Sequence, residues 1–381
     1  MYSSPDIAWM RQALALARDG LYSTTPNPRV GCLIVREGRV VGQGAHLRAG
    51  EPHAEVYALR EAREQARGAT AYITLEPCNH IGRTGPCTQA LVQAGIASVV
   101  VAMEDPNPRV SGQGLARLRA AGIDVRCGLL AEEARLLNLG FVSRMTRGRP
   151  WVRIKLASSL DGRVALASGA SQWITDAQAR DDGHHWRAQA CVVATGMGTF
   201  LKDQPRLTVR AVETSRPPAR LLIDPALTAD PDAPFFSLPH AWVATHLPPE
   251  GVAASATGQR LLARGVEFLH AKPAGPRSEA QPPQPPQPPQ RLGLNLEDLL
   301  HQLALREVNE LHLEAGPKLV GQFLSAGLAD ELLVYLAPVL LGDGLPLAFG
   351  IDLFSAPTDA PRWKLHESVA VGDGLRLRLF R

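Results

Sequence analysis

Two short stretches of this chain gather the residue types that bind a metal and move protons: Pro52-His53-Ala54-Glu55-Val56, and a loop running from Glu76-Pro77-Cys78 to Pro86-Cys87. One imidazole and two thiolates, from His53, Cys78 and Cys87, offer zinc three protein ligands and leave a fourth position for water. That is the arrangement of a catalytic site rather than a structural one. Zinc lowers the pKa of such a water from about 16 toward about 7, so a hydroxide nucleophile becomes available at neutral pH. Attack on an amino-substituted ring carbon gives a tetrahedral adduct, and ammonia leaves only once its nitrogen is protonated. Glu55 is the expected acid and base, because His-x-Glu followed by Pro-Cys and a second Cys is the zinc deaminase signature, in which the Glu is not a ligand. A closed zinc knot is the structural alternative. It needs a fourth protein ligand, for which His80 is the nearest candidate.

These residues need elements to position them. Pro52 is expected at the first position of a helix, which places His53 and Glu55 in its first turn, where backbone N–H groups are unpaired. A strand over residues 71–75 leads into the loop that carries the thiols. Around them the pattern predicts a helix over 6–18, a hairpin over 31–44 turning at Glu37-Gly38, and a strand over 98–103. Helices over 88–94 and 113–121, a short strand near Ile123 and helical residues 132–138 complete an α/β layering around one sheet. The polar stretch 144–150, with Gly148 and Pro150, has the composition of a joint between domains, and the boundary is placed there, giving domains 1–147 and 148–381. Beyond it, strand-like runs over 151–157, 191–194, 220–223, 241–245 and 310–313 alternate with helices, again α/β, and residues 375–380 are expected to add an edge strand. The Pro-Pro-Gln repeat within an insert at about 274–291 favours extended polyproline and reads as a solvated loop.

Composition excludes several classes. The 381 residues are 45% hydrophobic and 20% charged, with a formal net charge of +3, the proportions of a soluble globular protein. Basic residues are scattered, so no nucleic-acid footprint is present and small-molecule substrates are expected. No span approaches the roughly 20 apolar residues of a membrane helix, and residues 5–18 lack a signal peptide's apolar region. Five cysteines show no disulfide framework, which fits a reducing, cytoplasmic setting. Cys32, Cys127 and Cys191 lie in apolar or β-branched runs and read as buried residues.

The long spacing between the two cysteines is informative together with Thr25-Pro26-Asn27-Pro28-Arg29-Val30-Gly31, Gly50-Glu51-Pro52 and Asp105-Pro106-Asn107-Pro108. These stretches resemble the bifunctional riboflavin-biosynthesis deaminase/reductase family. The second half resembles its reductase at Lys155-Leu156-Ala157-Ser158-Ser159-Leu160-Asp161-Gly162-Arg163, at Ser168-Gly169-Ala170-Ser171-Gln172-Trp173-Ile174-Thr175, at residues 199–210 and at Leu313-Glu314-Ala315-Gly316-Pro317. The likeness spans nearly the whole chain except the Pro-Pro-Gln insert and its neighbourhood.

The resemblance implies a cytidine-deaminase-like three-layer domain followed by a dihydrofolate-reductase-like α/β domain that uses NADPH. It implies cofactor contacts by Ala157, Trp173, Thr199, Asp203 and the turn Gly316, Pro317, Lys318, Leu319, Val320, Gly321 and Gln322. It implies substrate contacts by Ser171, Arg187, Leu207, Arg210 and Glu314. Read physically, a strand over 310–313 runs through Gly316 into a helix begun by Pro317, whose free amides suit a phosphate, although such a turn is also an ordinary connection. No full Gly-x-Gly-x-x-Gly is present, which argues against a standard Rossmann domain. Arg187 and Arg210 are the candidates for a two-pronged grip on a phosphate ester. Gln204 departs from the second acidic residue expected beside Asp203.

On this reading the first domain removes the 2-amino group of 2,5-diamino-6-ribosylamino-4(3H)-pyrimidinone 5′-phosphate. The second then reduces the product's ribosyl to ribityl with hydride from NADPH. Asn27 and Asn107 are expected near the pyrimidine, since amides pair with donor and acceptor edges alike, but both also suit Asn-Pro turns. A homo-oligomer is implied. The rival readings are a nucleic-acid or nucleotide deaminase with an accessory nucleotide-binding domain, and a non-catalytic zinc- and nucleotide-binding regulator.

Overall fold

A computed structural model describes residues 2–79, 85–108, 110–275, 293–351, 356 and 358–381. His80 and the insert from residue 276 onward lie outside them. The chain divides into two compact units, Met1–Arg149 and Pro150–Arg381.

Alternating side chains decide the layers of the first unit, because successive residues of a strand face opposite sides of its sheet. Strands β1 (Gly31–Arg36), β2 (Arg39–Ala45), β3 (Thr70–Ile73), β4 (Ser98–Val101) and β5 (Asp124–Cys127) form one sheet in the order β2-β1-β3-β4-β5. Its helices are α1 (Ser4–Ala17), α2 (Ala54–Ala62), α3 (Cys87–Gln93), α4 (Gln113–Ala120), α5 (Ala131–Leu137) and α6 (Leu139–Arg147). Cys32, Ile34, Ala71, Ile73, Val99 and Val101 pack with Ala58 of α2, Leu91 of α3 and Leu115 of α4. Leu33, Val35, Tyr72 and Val100 pack on the other side with Met10 and Ala13 of α1 and Ala134 of α5. Three layers result. Helix α1 lies so close that a Cβ on Gly31 would stand 2.0 Å from the Ala13 carbonyl oxygen, which only glycine permits. The β1–β2 turn is the expected one, with Glu37 and Gly38 both at positive φ.

Three local expectations are corrected. Helix α2 starts at Ala54, not at Pro52, because His53 stays extended (φ −75°, ψ 165°) as the N-cap. Helix α1 starts at Ser4, since Ser3 and Asp6 form a reciprocal capping box. Residues 144–147, read as part of a joint, are the last turn of α6, which Gly148 ends in the left-handed conformation.

The second unit holds β6 (Trp151–Ser159), β7 (Arg163–Ala165), β8 (Val192–Gly196), β9 (Ala219–Ile223), β10 (Ala241–Thr245), β11 (Glu267–His270), β12 (Glu310–Leu313), β13 (Glu331–Ala337), β14 (Leu345–Pro346), β15 (Lys364–Val371) and β16 (Gly374–Phe380). Nine of these form a sheet in the order β11-β10-β9-β8-β12-β6-β13-β16-β15, and β14 pairs with β7 apart from it. Pairing is parallel from β11 to β13 and antiparallel beyond. The tail strand is therefore not the edge. Residues 364–371 pair outside it, because the turn at Gly372 folds the two strands into a hairpin.

Helix α7 (Ala177–Gln189) packs on this sheet through Trp186, which stands under the guanidinium of Arg153 at 4.6 Å. Arg153 is fully buried, and its charge is matched by Glu310 at 3.4 Å and Glu331 at 2.9 Å. A buried arginine is tolerated only when so paired. The anchoring matters because α7 carries Arg187 one residue beyond Trp186.

Candidate active site

The N-cap position of α2 presents His53, and Glu55 follows at the second helical residue. Cys78 sits in the loop beyond β3, and Cys87 is the first residue of α3. His53 Nδ1 lies 3.5 Å from Cys78 Sγ and 3.3 Å from Cys87 Sγ, while the Cys87 amide donates to Cys78 Sγ at 3.4 Å. All three potential ligand atoms fall within 4.8 Å of one another, and among the described residues no other group of three or more such side chains does so.

The electrostatics fit a divalent cation. Contact with Cys87 and then His53 draws the Cys78 thiol down to about 4, whereas the same contact with Cys78, together with burial, pushes Cys87 up. Two adjoining thiols both ionise only where a cation offsets the second charge, and soft thiolates with one imidazole are zinc's own donor set. Glu55 is 3% exposed, and burial, followed by the charge of Cys78, raises its carboxyl to about 7. A carboxyl poised near neutrality can both take and give a proton.

Two further side chains hold this site, and the sequence reading missed both. Glu76, next to the Pro-Cys pair, accepts from the backbone amides of Asp105, Gly112, Gly114 and Leu115 at 3.1, 2.9, 2.7 and 3.3 Å. It thereby ties the thiol loop to the Asp105-Pro-Asn-Pro turn. Replacing Glu76 with Ala deprives two buried and two part-buried amides of this acceptor and is expected to cost about 3 kcal/mol. Thermal unfolding and zinc retention during dialysis measure this, and an unchanged melting temperature would contradict it. His46 is the other, 2% exposed, with its ring 5.1 Å from that of His53 and its Nε2 3.0 Å from Asn27 Nδ2. Asn27 is thereby placed against His46, the neighbour of His53. Asn107 engages its turn through its backbone, its amide donating to Asp105 Oδ1 at 2.8 Å. A lone histidine after a strand carried no signal, whereas Glu76 was visible as the acidic residue preceding Pro-Cys.

In the second unit the expected residues fall into three groups. Gly316 caps the helix Pro317–Ser325, and a Cβ placed on it would lie 3.7 Å from Thr199 Oγ1, at the start of α8 (Met197–Asp203). A Cβ on Gly196 would meet Leu319 at 2.9 Å, so the two turns abut. The first-turn amides of Lys318 and Leu319 have no intrahelical partner and suit an anionic group. Val320 and Gly321, by contrast, face the core. Val320 is fully buried, and Gly321 is pressed against Phe349, where a Cβ would stand 1.7 Å from the carbonyl oxygen. Gln322 and Asp203 are exposed.

The second group centres on a fork. Arg187 donates to Glu314 through Nε at 2.5 Å and Nη2 at 2.8 Å, and through Nη1 to Thr208 O at 3.0 Å. The guanidinium is thus already engaged, which makes it a brace for Glu314 more than a free phosphate grip. His312 stands 3.4 Å from Glu314, and Arg187 holds that carboxyl well below the ordinary range against its burial. Lys155 feels the same charges, and burial lowers its ammonium. Leu207 is buried at positive φ, and the Arg210 amide donates to His184 Nδ1 at 3.3 Å while its side chain is exposed. Third, Ser171 and Trp173 line a cavity of about 570 Å³ with Tyr335 and Val339. Trp173 is 70% exposed, with the Arg180 guanidinium 4.4 Å above its ring. Ala157 is half-buried on β6.

Comparison with known proteins bears on both units. Residues 3–103 match the cytidine and deoxycytidylate deaminase zinc-binding region, and residues 150–377 match the RibD C-terminal domain. The riboflavin biosynthesis protein RibD of Escherichia coli is 44% identical over 98% of this chain and 99% of its own, and that of Aquifex aeolicus is 41% identical over 90% and 89%. The structure of Acinetobacter baumannii RibD is similar at a TM-score of 0.85, with 41% identity over 99% of this chain and 98% of that one. A Thermotoga maritima diaminohydroxyphosphoribosylaminopyrimidine deaminase/5-amino-6-(5-phosphoribosylamino)uracil reductase follows at 0.82, with 32% identity over 99% and 98%.

Fold and site together define a two-domain enzyme, a zinc-dependent deaminase joined to an NADPH-dependent reductase. The chain belongs to the RibD family of riboflavin biosynthesis proteins.

Proposed function

We propose that the first unit hydrolyses the 2-amino group from 2,5-diamino-6-ribosylamino-4(3H)-pyrimidinone 5′-phosphate, and that the second reduces the product's ribosyl chain to ribityl. The observation that carries this reading is the trio His53, Cys78 and Cys87 with the buried carboxyl of Glu55 beside it.

His53, Cys78 and Cys87 hold the metal, which when bound supplies a Lewis acid that activates water at neutral pH. Glu55 takes the proton given up by the nucleophile and returns it to the departing amine, its pKa near 7 suiting both transfers. Asn27 meets the base, and Asn107 shapes the adjoining wall. In the second unit, bound NADPH would supply a hydride for the sugar's C1′. The amides of Lys318 and Leu319, Thr199, Trp173, Ala157 and Asp203 hold the cofactor. Glu314, kept ionised by Arg187, orients the sugar with Ser171 and Leu207, and the exposed Arg210 is left as the phosphate grip. Val320, Gly321 and Gln322 serve by shaping the helix that presents the amides.

The same reading includes a homo-oligomer working in a reducing, cytoplasmic setting on a small nucleotide and not on nucleic acid. All five cysteines are free thiols, and no helix among the described residues is long and apolar enough to cross a membrane. Sedimentation tests the assembly, and a monomer at working concentration removes that part. The decisive experiment incubates the zinc-loaded protein with the diaminopyrimidinone phosphate, with and without NADPH, and weighs the products. Expected are the deaminated ribosyl compound alone, and its ribityl form when NADPH is present. Absence of ammonia release overturns the reading.

A further inference from the structure

We propose that His46 is a positioning residue that fixes the side-chain amide of Asn27 with its carbonyl oxygen turned to the base, so that Asn27 reads a hydrogen-bond donor on the substrate. This rests on the deaminase reading above and adds a polarity to it.

His46 Nδ1 lies 3.1 Å from the carbonyl oxygen of Pro52, which can only accept, so Nδ1 carries the hydrogen. A neutral imidazole has one N–H, and the identity of its protonated nitrogen is set by the bond the other ring nitrogen's partner demands. Nε2 therefore offers a lone pair. Its partner at 3.0 Å is Asn27 Nδ2, which can only donate. The sequence Asn27 N–H to His46 Nε2, then His46 Nδ1–H to Pro52 O, runs in one sense throughout. No carboxylate hydrogen-bonds to the His46 ring among the described residues, and burial of the ring, 2% exposed, disfavours the charged form against the pull of the Pro52 carbonyl and the Glu51 carboxylate.

The relay is built against His53. Pro52 is bonded to His53, and the His46 ring stands edge-on to that of His53, 5.1 Å away at 78°. Asn27 is not spent on its own turn, which the backbone closes through the Asn27 amide and Thr24 O at 3.0 Å. With Nδ2 engaged by His46, whose ring packs on that of His53, Oδ1 is the end of the amide left to accept. An acceptor there pairs with the N–H at ring position 3 of a 4(3H)-pyrimidinone or with the amino group itself, and faces a lone pair in any base that lacks such a donor.

The test reads the tautomer directly. In the full chain loaded with zinc and labelled with nitrogen-15 histidine, the His46 signals are assigned by their disappearance in His46→Phe. A pyrrole-like Nδ1 and a pyridine-like Nε2 are expected, and a proton on Nε2 overturns the proposal. Asn27→Ala and His46→Phe, compared at full zinc occupancy, are each expected to lower kcat/KM for deamination by about tenfold to a hundredfold. Because the two act as one unit, the double variant should be no more than about threefold worse than Asn27→Ala alone. Fully multiplicative losses overturn the relay. If the wild-type chain releases no ammonia, the proposed function fails, while the nitrogen spectrum still decides the polarity of the relay.

Discussion

Replacing Glu55 with Gln is expected to lower deamination by roughly a hundredfold to ten-thousandfold, the range over which a positioned acid and base contributes, while zinc content stays at the wild-type level. The carboxyl is not one of the three clustered ligand atoms, so the metal should be indifferent to its loss. Gln keeps the volume of the side chain, which matters at a position 3% exposed, and removes only the capacity to take and give a proton. Cys87→Ala supplies the contrast, since it deletes a ligand and should lose zinc and deamination together. Ammonia release and metal analysis on the same samples separate the two. Reduction of the already deaminated substrate serves as the internal control and should be unchanged by Glu55→Gln. Wild-type turnover in that variant would end the role assigned to this residue.

The second large effect is expected from Arg187→Met. The side chains of Arg187 and Glu314 are 17% and 16% exposed, so the pair is shielded though not sealed. Removing one partner of a buried ion pair leaves the other uncompensated, a loss of about 3–5 kcal/mol; the remaining exposure favours the lower figure. The sign with pH is opposite in the two proteins. In the wild type, the depressed pKa of Glu314 contributes stability that is present above its unfolded value and is lost as pH falls toward the folded one. In the variant, the two largest influences opposing burial are gone, so the carboxyl's pKa rises. Protonation then relieves the buried charge, and the stability deficit should narrow as pH falls through the carboxylate range. Urea unfolding at several pH values checks this, with NADPH oxidation on the deaminated substrate as the functional readout. A deficit that widens on acidification would show that Arg187 does not hold Glu314 ionised.

Much of the metal site could be read from residue order because its information is local. A ligand set is defined by residue type, and a helix start after Pro52 and a loop after a strand suffice to gather His53, Glu55, Cys78 and Cys87. The sheets were legible for a similar reason: alternation such as Cys32, Leu33, Ile34 and Val35 records two buried faces. Boundaries were less secure where one hydrogen bond decides them, as with the extended N-cap at His53 or the Ser3 and Asp6 box.

Other features depend on partners that are distant in sequence. Arg187 and Glu314 are 127 residues apart, and each alone reads as a surface charge. The pairing of residues 364–371 outside β16 and the pressing of Gly321 onto Phe349 follow from how strands and helices stack, which no local pattern records. His46 and Asn27 are separated by 19 positions and meet only because β1 and β2 fold back on each other. The sequence by itself thus determined the zinc-deaminase class, the trio His53, Cys78 and Cys87 that the fold gathers, and the layering of both halves, since these depend on residue chemistry and short-range periodicity. Tertiary structure alone decided which buried charges neutralise each other and which way a hydrogen bond points, because these are properties of a pair, and a pair exists only after the chain has closed on itself.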